Sequence, residues 1–226
     1  MCGRFTIRVP LGVLTTQFHA QAAPQFQLTI RYNVAPTQQV PVVRMDNGNR
    51  QLTTMHWGLI PSWAKDTKIA YSTINARADT ITTKPAFRTA IKKRRCLVVA
   101  DGYYEWLKVE KLKQPYLYEV NGGKPFAFAG LWEQWWGPDH KAETPIESCT
   151  IITTDANELA SKVHNRMPVL LHENDYAAWL DPANQDGESL RYLFEPFPAG
   201  EMAVRPVSTF VNNARNEGPE CVENSL

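Results

Sequence analysis

The residue with the most distinctive chemistry is the second one, because the chain begins Met1-Cys2-Gly3-Arg4. An initiator methionine before so small a side chain is expected to be removed, which would give Cys2 a free α-amine beside its thiol. An α-amine titrates near about 7.7–8, so roughly a tenth of it is unprotonated at neutral pH, far more than of a lysine amine. Such an amine attacks an aldehyde to give an imine, and the adjacent thiol can then close a five-membered thiazolidine. Cys2 is therefore a candidate for covalent capture of an aldehyde.

Two other interpretations of Cys2 are open from the residue alone. Its thiolate could serve as the nucleophile of an acyl transfer, with its own amine as general base. A cysteine is also, on average, a small buried hydrophobe, which is the ordinary role for a residue at this position.

Glu105 is a candidate for proton transfer. It lies between Tyr104 and Trp106 in an apolar, aromatic segment, and in a strand it shares a face with Tyr103 and Leu107. Partial burial raises the pKa of a carboxyl group towards neutrality, where it can exchange protons. An edge strand with Glu105 in water is an equally good interpretation of the same segment.

Three further polar residues are candidates for the same chemistry. Asn75 and Arg77 are two residues apart, so in an extended segment they point the same way, and an arginine matches phosphate oxygens well. A local asparagine turn is the ordinary explanation of that segment. His164 precedes Met167-Pro168, whose geometry is extended, and it can exchange a proton near pH 7. The ordinary alternative is that the ring of His164 is hydrogen-bonded within the fold and has no catalytic role.

Aromatic and basic residues supply candidates for nucleic-acid contacts. Trp63, in a predicted loop that begins at Trp57, and Trp106 could stack on exposed bases, although core packing is the commoner role of a tryptophan. The run Lys92-Lys93-Arg94-Arg95 is basic, but a solvated helix face has the same composition. Because the net charge is only +1, global electrostatics do not predict nucleic-acid binding.

The bulk properties indicate one domain spanning residues 1–226, since 226 residues with 43% hydrophobic side chains can bury a substantial core. The four cysteines form no CxxC pair and the five histidines show no metal-ligand spacing, so we expect neither disulfides, metal nor cofactor. No segment has the length of a membrane span, and no secretory segment is apparent. We therefore expect a monomer in the reducing cytoplasm.

The elements that must position these residues are mainly short strands. The sequence predicts strands over residues 2–8, 39–45, 51–57, 96–100, 103–108, 115–120, 125–131, 148–153 and 203–207. It predicts helices over 11–19, 84–93, 156–163, 173–180 and 187–193. Asn-Gly sequences at 47–48 and 121–122 are typical of hairpins. Strands in series with few helices predict an α+β fold: a single domain with a mainly antiparallel, curled or barrel-like sheet and peripheral helices.

Ordered motifs along the whole chain resemble those of the SRAP family, the SOS-response-associated peptidase or abasic-site-processing proteins. The matching segments are 1–5 (MCGRF), 31–36 (RYNVAP), 57–63 (WGLIPSW), 75–77 (NAR), 95–106 (RCLVVADGYYEW), 129–133 (AGLWE), 150–154 (TIITT), 164–168 (HNRMP) and 211–216 (VNNARN). One small departure is Asp79, where the family commonly has a glutamate.

The resemblance implies a protein that binds single-stranded DNA and forms a covalent thiazolidine crosslink between Cys2 and the aldehyde of an abasic site. It implies that Asn75 holds Cys2 and the opened sugar, that Glu105 moves protons, and that His164 acts on the sugar hydroxyl. Arg77 and Arg4 would hold phosphates, beside the stacking candidates Trp63 and Trp106. The family is also described as peptidase-like, because Met1 must leave by self-cleavage or by an aminopeptidase, and the amine chemistry is lyase-like.

Two other classes of function compete with this interpretation. An N-terminal-nucleophile cysteine amidohydrolase or peptidase can also begin Met-Cys-Gly, but it usually continues with an aliphatic residue where this chain has Arg4-Phe5. A non-covalent nucleic-acid-binding module would make Cys2 incidental. Glutamine hydrolysis tests the first alternative, and a Cys2→Ala variant tests the second.

Overall fold

The computed structural model describes residues 2–110 and 112–225. The strands are β1 (Phe5–Ile7), β2 (Gln21–Ala22), β3 (Arg31–Val34), β4 (Gln39–Asp46), β5 (Asn49–Trp57), β6 (Asn75–Arg77), β7 (Arg95–Ala100), β8 (Gly102–Val109), β9 (Leu112–Val120), β10 (Phe126–Trp135), β11 (Ile146–Asp155), β12 (Arg166–Pro168), β13 (Leu170–Leu171) and β14 (Met202–Pro206). The helices are α1 (Leu11–Gln17), α2 (Ala90–Lys93) and α3 (Tyr176–Leu180), with several short 3₁₀ segments.

The strands form two sheets. The first is antiparallel, in the order β14-β9-β8-β1-β3. The second has the order β12-β11-β10-β7-β4-β5-β2, and a parallel pairing of β11 with β5 closes five of its strands into a ring. β6 joins this ring by pairing in parallel with β11. The expected α+β fold with a mainly antiparallel, curled sheet is therefore confirmed.

The sequence of β7 explains its central place in the second sheet. All six of its residues are buried, and the run Leu97-Val98-Val99 supplies the β-branched and aliphatic side chains that suit a strand covered on both faces. The β4–β5 hairpin closes as predicted, because Asn47 and Gly48 both adopt the positive φ that a tight two-residue turn requires.

One aromatic cluster joins the two sheets. The ring of Phe5, from β1, lies 5.1 Å from that of Trp57 at the end of β5 and 5.9 Å from that of Phe128 on β10. Tyr103 on β8 packs edge-on against the same Phe128. Because β1 belongs to the first sheet and its partners to the second, the start of the chain is fixed where the two sheets meet.

The structure contains less helix than the sequence predicts. Only Ala90–Lys93 of the expected 84–93 helix is α-helical, and the expected 187–193 helix is a 3₁₀ turn at Arg191–Phe194. The 156–163 segment holds only a 3₁₀ turn, Ala160–Lys162. In this segment the side-chain oxygen of Asn157 accepts hydrogen bonds from the amides of residues 159 and 160, which makes a local turn in place of a longer helix.

The second Asn-Gly sequence does not form a hairpin. β9 ends at Val120 and pairs with β8 and β14, whereas the next strand, β10, belongs to the other sheet. The amide of Asn121 donates instead to the carbonyl of Glu201. Asn121 and Gly122 do form a turn with positive φ, but this turn connects β9 of the first sheet to β10 of the second.

The basic run at 92–95 is only partly a solvated face. Lys92 and Lys93 are exposed, but Arg94 pairs with Glu133 at 2.6 Å. Arg95 is buried, and its guanidinium donates to backbone carbonyls, among them those of residues 91 and 179. Two of the four cations therefore stabilise the fold.

Candidate active site

The antiparallel pairing of β1 with β8 brings Cys2 towards Glu105. Phe5 of β1 pairs with Tyr103 of β8, and the amide of Tyr104 donates to the carbonyl of Arg4 at 3.0 Å. Continuing this antiparallel register, residues 2 and 3 run alongside residues 105 and 106. The structure therefore brings together two candidates that lie more than a hundred residues apart in sequence.

Asn75 reaches the same place from the second sheet. Its side-chain nitrogen donates to the carbonyl of Cys2 at 2.8 Å. The extended segment predicted for Asn75 and Arg77 is present as β6, which is held by β11 and by the indole of Trp57, whose N–H donates to the carbonyl of Ile74. Trp57 is thus a buried part of the framework.

Glu105 is a buried carboxyl group with a perturbed acidity. It is 6% exposed on the inner face of β8. Burial raises its pKa above the ordinary value for a glutamate, while the charge of His164 and the backbone N–H of Trp106 act in the opposite direction. The interpretation of Glu105 as an exposed residue on an edge strand is wrong, and a buried carboxyl of this kind suits proton transfer.

The thiol of Cys2 is fully buried in the chain that retains Met1. Burial raises its pKa well above the usual range, and the nearby charge of Glu105 raises it further. A protonated thiol is a poor nucleophile, since the thiolate is the reactive form. In the chain that retains Met1, burial therefore holds the thiol in its unreactive, protonated form.

His164 follows the 3₁₀ turn at Ala160–Lys162 and precedes β12. The amide of Arg166 donates to its Nδ1 at 3.0 Å, which fixes the orientation of the ring. Arg166 is itself held by Asp155 at 2.8 Å and by the carbonyl of Thr153 at 2.6 Å. The influence of His164 on the pKa of Glu105 shows that the two side chains belong to one electrostatic cluster.

A surface cavity of about 430 Å³ opens next to this cluster. Its lining residues are Gly3, Arg4, Pro36, Trp106, Lys108, Lys113 and Asn212. The guanidinium of Arg4 lies 5.6 Å from the centre of the Trp106 ring, and the indole N–H donates to Asn212 at 2.6 Å. An oriented indole beside three cationic side chains can receive a base and its phosphates.

Asn33 organises the wall of this cavity. Its side-chain oxygen accepts from Arg4 at 2.6 Å, and its nitrogen lies within hydrogen-bonding distance of the carbonyls of residues 211, 213 and 216. These contacts explain why the RYNVAP and VNNARN segments, which are far apart in sequence, both belong to the motif set. They also occupy part of the hydrogen-bonding capacity of Arg4.

The other two predicted DNA contacts lie outside the cavity. Arg77 is exposed and forms a two-pronged ion pair with Asp79, with N–O distances of 3.1 and 2.6 Å. Trp63 is 58% exposed and lines another surface cavity together with Lys65 and the 137–140 segment. Arg77 is nevertheless linked to the centre, because it stands two residues beyond Asn75 on the same face of β6.

Sequence reasoning missed several residues that the structure places at the site. Tyr103 and Tyr118 form a stacked pair with ring centres 4.8 Å apart, next to Cys2 and Glu105. Asn33, Asn212, Lys108 and Lys113 were also missed. Two signals could have identified some of them: the alternation of β8 puts Tyr103 on the face of Glu105, and Asn33 and Asn212 lie in the RYNVAP and VNNARN motifs.

Within the described ranges, no group of three or more His, Cys, Asp or Glu side chains is arranged to hold a metal ion. Over the same residues, no helix is long and apolar enough to cross a membrane. All four cysteines are free thiols.

Comparison with known proteins identifies the relatives of this chain. The family model of the SOS response associated peptidase (SRAP) matches residues 1–214. The protein named abasic site processing protein YoqW from Bacillus subtilis is 42% identical, over 99% of both chains. The abasic site processing protein HMCES of Gallus gallus is 35% identical over 84% of this chain and 65% of its own length. A crystal structure of a Bacteroides thetaiotaomicron protein superposes over both whole chains with a TM-score of 0.88 and 28% identity. The chain therefore belongs to the SRAP family.

Proposed function

We propose that this protein captures abasic sites in single-stranded DNA covalently, through the α-amine and thiol of Cys2 after Met1 is removed. The observation that carries this proposal is the convergence on Cys2 of Asn75, bound at 2.8 Å, and of the buried Glu105, next to a cavity lined by Trp106 and cations. The relatives named abasic site processing proteins support the same activity. In this proposal one chain supplies every group, so a monomer acting with DNA in the cytoplasm suffices.

The first bond forms between nitrogen and the sugar. An abasic deoxyribose equilibrates with an open-chain aldehyde, and His164 assists ring opening by exchanging a proton with the sugar hydroxyl. The unprotonated amine of Cys2 adds to the aldehyde carbon to give a carbinolamine. The protonated form of Glu105, favoured by its raised pKa, then donates a proton to the leaving hydroxyl, and its carboxylate recovers a proton from the nitrogen, so that one water departs and a neutral imine remains.

The second bond forms between sulfur and the same carbon. The thiol of Cys2 adds across the C=N bond, its proton passes to nitrogen, and the thiazolidine closes with no further atom gained or lost. This order of bond formation needs no thiolate before the imine is present, because the thiol gives up its proton as sulfur bonds to carbon. Asn75 holds the carbonyl of Cys2 so that both nucleophilic atoms stay beside the aldehyde.

Binding of the strand would use the surface around this centre. Trp106 offers a stacking face whose orientation is fixed by Asn212, and Arg4, Lys108 and Lys113 surround it with positive charge. Arg77 and Trp63 extend this surface as further phosphate and base contacts. Such binding is sequence-independent and weakens as the salt concentration rises.

The test is denaturing electrophoresis of the protein with a single-stranded oligonucleotide that carries one abasic site. We expect a slowly migrating adduct with the wild-type chain and none with Cys2→Ala. Cys221→Ala removes another buried thiol and should leave the adduct unchanged. Absence of an adduct with wild-type protein whose Met1 has been shown by mass spectrometry to be gone would refute the proposal.

A Cys2→Ser variant separates the two bonds. It retains the α-amine but offers a hydroxyl in place of the thiol, so we expect an imine that survives denaturation only after reduction with borohydride. An adduct as stable as that of the wild type, without reduction, would show that sulfur takes no part.

The same protein distinguishes the alternatives. An N-terminal-nucleophile amidohydrolase should hydrolyse glutamine, and a non-covalent DNA-binding module should bind the strand equally well with alanine at position 2. Self-removal of Met1 can be tested separately. The Glu105→Gln and Cys2→Ala proteins are translated in a system without aminopeptidase, and mass spectrometry of each intact chain shows whether Met1 is still present.

A further inference from the structure

Three buried polar atoms on residues near Cys2 or Glu105 have no hydrogen-bond partner among the described residues. They are the side-chain oxygen of Asn75 and the hydroxyl oxygens of Tyr103 and Tyr118. Buried polar groups in folded proteins are almost always paired, because leaving one unpaired is costly. Three such atoms at one place point to a group that is present when the site works.

The placement of the two tyrosines is fixed by the strand register. Tyr103 of β8 pairs directly with Tyr118 of β9, and their rings stack at 4.8 Å with an angle of 11° between the ring planes. Both are fully buried. Tyr103 and Glu105 stand on the same face of β8, so the two hydroxyls share the interior with the candidate acid.

Electrostatic coupling supports this placement. Burial raises the pKa of Tyr103, and the charges of Tyr118, Cys2 and Glu105 raise it further. Burial likewise raises the pKa of Tyr118, with a further contribution from Glu105. Both hydroxyls therefore stay protonated and can donate hydrogen bonds while accepting others.

We propose that Tyr103 and Tyr118 are positioning residues whose hydroxyls, together with the side-chain oxygen of Asn75, hold the water molecule exchanged during imine formation and reversal. This inference rests on the proposed capture of abasic sites through Cys2. A buried water is held by two to four polar partners, and two hydroxyls with one amide oxygen supply that number. Glu105, beside them, supplies and recovers the proton.

The chemistry is balanced in both directions. When the carbinolamine collapses, its C–O bond breaks, the leaving hydroxyl takes a proton from Glu105, and water is released as the C=N bond forms. On reversal, after the C–S bond has broken, the held water adds to the imine carbon and returns a proton to Glu105. The carbinolamine then releases the amine and the aldehyde.

Tyr104 provides a matched control on the same strand. It is as fully buried as its neighbour, but it points to the opposite face of β8, where its hydroxyl donates to the carbonyl of Tyr32 at 2.8 Å. Its hydroxyl is therefore a structural hydrogen bond. Replacement by phenylalanine removes the same atom from Tyr103, Tyr104 and Tyr118 and leaves each ring in place.

The experiment measures four quantities for Tyr103→Phe, Tyr118→Phe and Tyr104→Phe in the mature full-length chain. These are the rate of adduct formation with abasic single-stranded DNA, the rate of adduct release in a competitor chase, the Kd for a strand with an unreactive tetrahydrofuran site, and the Tm. For Tyr103→Phe and Tyr118→Phe we expect both rates to fall by the same factor, roughly 3- to 10-fold for one hydrogen bond. Their Kd should stay the same, and their Tm should be unchanged or higher.

Tyr104→Phe should show the reverse pattern, a lower Tm with unchanged rates. Unchanged rates for both Tyr103→Phe and Tyr118→Phe would overturn the inference, and so would slower formation with unaltered release. These outcomes are separable from failure of the proposed function, in which the wild-type protein itself would form no adduct.

Discussion

The two ends of β1 carry two buried polar clusters that are built in opposite ways. Beyond its C-terminal end, the carboxylate of Asp101 accepts from the hydroxyl of Thr6 and from both the backbone and the side chain of Arg8. The guanidinium of Arg8 also pairs with Glu119 at 2.8 Å. Every charge in this cluster faces an opposite charge or a hydrogen-bond donor.

The cluster before the N-terminal end is only partly paired. Cys2 and Glu105 are buried with raised pKa values, and hydroxyls and an amide oxygen around them have no partner among the described residues. The comparison teaches that paired charges hold the C-terminal end of β1, whereas the residues of the candidate site lie before its N-terminal end. Unsatisfied groups persist in a native fold only when surrounding structure supports them.

The largest effect should follow from breaking the satisfied cluster. Asp101→Asn removes the charge that faces Arg8, while Asp101 is only 1% exposed. We expect the free energy of unfolding to fall by about 3 kcal/mol, because the buried hydrogen bonds to the Asp101 carboxylate are weakened and Arg8 keeps only Glu119 as a charged partner. Denaturant titration followed by fluorescence measures this change.

Asp139→Asn is the matched control for that substitution. It removes the same chemical group from an ion pair with Lys141 at 3.7 Å, in which Asp139 is 79% exposed and Lys141 80% exposed. Its cost should stay below about 1 kcal/mol. Equal costs for the two variants would mean that the burial of Asp101 has no energetic consequence.

The sequence predicts the central strands of the second sheet better than it predicts the helices, for physical reasons. Strands such as β4, β5 and β7 carry local signals, namely alternation, β-branched residues and an Asn-Gly turn, and their predicted bounds agree closely with the structure. The 156–163 segment has helical periodicity, but the side chain of Asn157 captures its first amides. This competition is local and hydrophobic periodicity does not report it, while a tertiary hydrogen bond from the Asn157 side-chain nitrogen to the carbonyl of Phe197 holds the side chain in place.

The site was predictable in its members but not in its assembly. Cys2, Asn75 and Glu105 could be singled out because each residue type has a chemical use at its position. That Asn75 binds the carbonyl of Cys2 depends on a parallel pairing of β6 with β11, which no local pattern encodes. Tyr103 and Tyr118 were missed because a tyrosine in an aromatic strand has the composition of an ordinary core.

A smaller effect on stability, with the opposite sign, should follow from Glu105→Gln. Because the folded state raises the pKa of Glu105, folding favours its protonated form, and the ionised form is destabilising. The variant should therefore be more stable than the wild type by on the order of 1 kcal/mol at neutral pH, or about 2–4 °C in Tm. The gain should shrink as the pH falls through the folded pKa and vanish below the unfolded value of about 4.3.

The same variant should lose activity. Loss of a general acid slows adduct formation roughly 100-fold or more. Glu133→Gln is the control, since Glu133 is similarly buried but pairs with Arg94 at 2.6 Å. It should lower the Tm at neutral pH and leave the rate of adduct formation unchanged. A Glu105→Gln protein that is both less stable and fully active would contradict the contrast between the two clusters.

The smallest effect concerns the exposed ion pair at the rim of the site. Asp79→Asn removes the carboxylate that occupies both prongs of the Arg77 guanidinium and leaves that arginine available to a phosphate. We expect binding of unmodified single-stranded DNA to tighten roughly twofold to fivefold, and the slope of log K against log salt to steepen by about 0.7, as one added phosphate contact requires. Asp46→Asn removes an equal charge at the end of β4, before the β4–β5 turn, and it frees no arginine, so its salt slope should match that of the wild type. If both variants tighten binding equally, without a change of slope, only the net charge matters and Arg77 makes no phosphate contact.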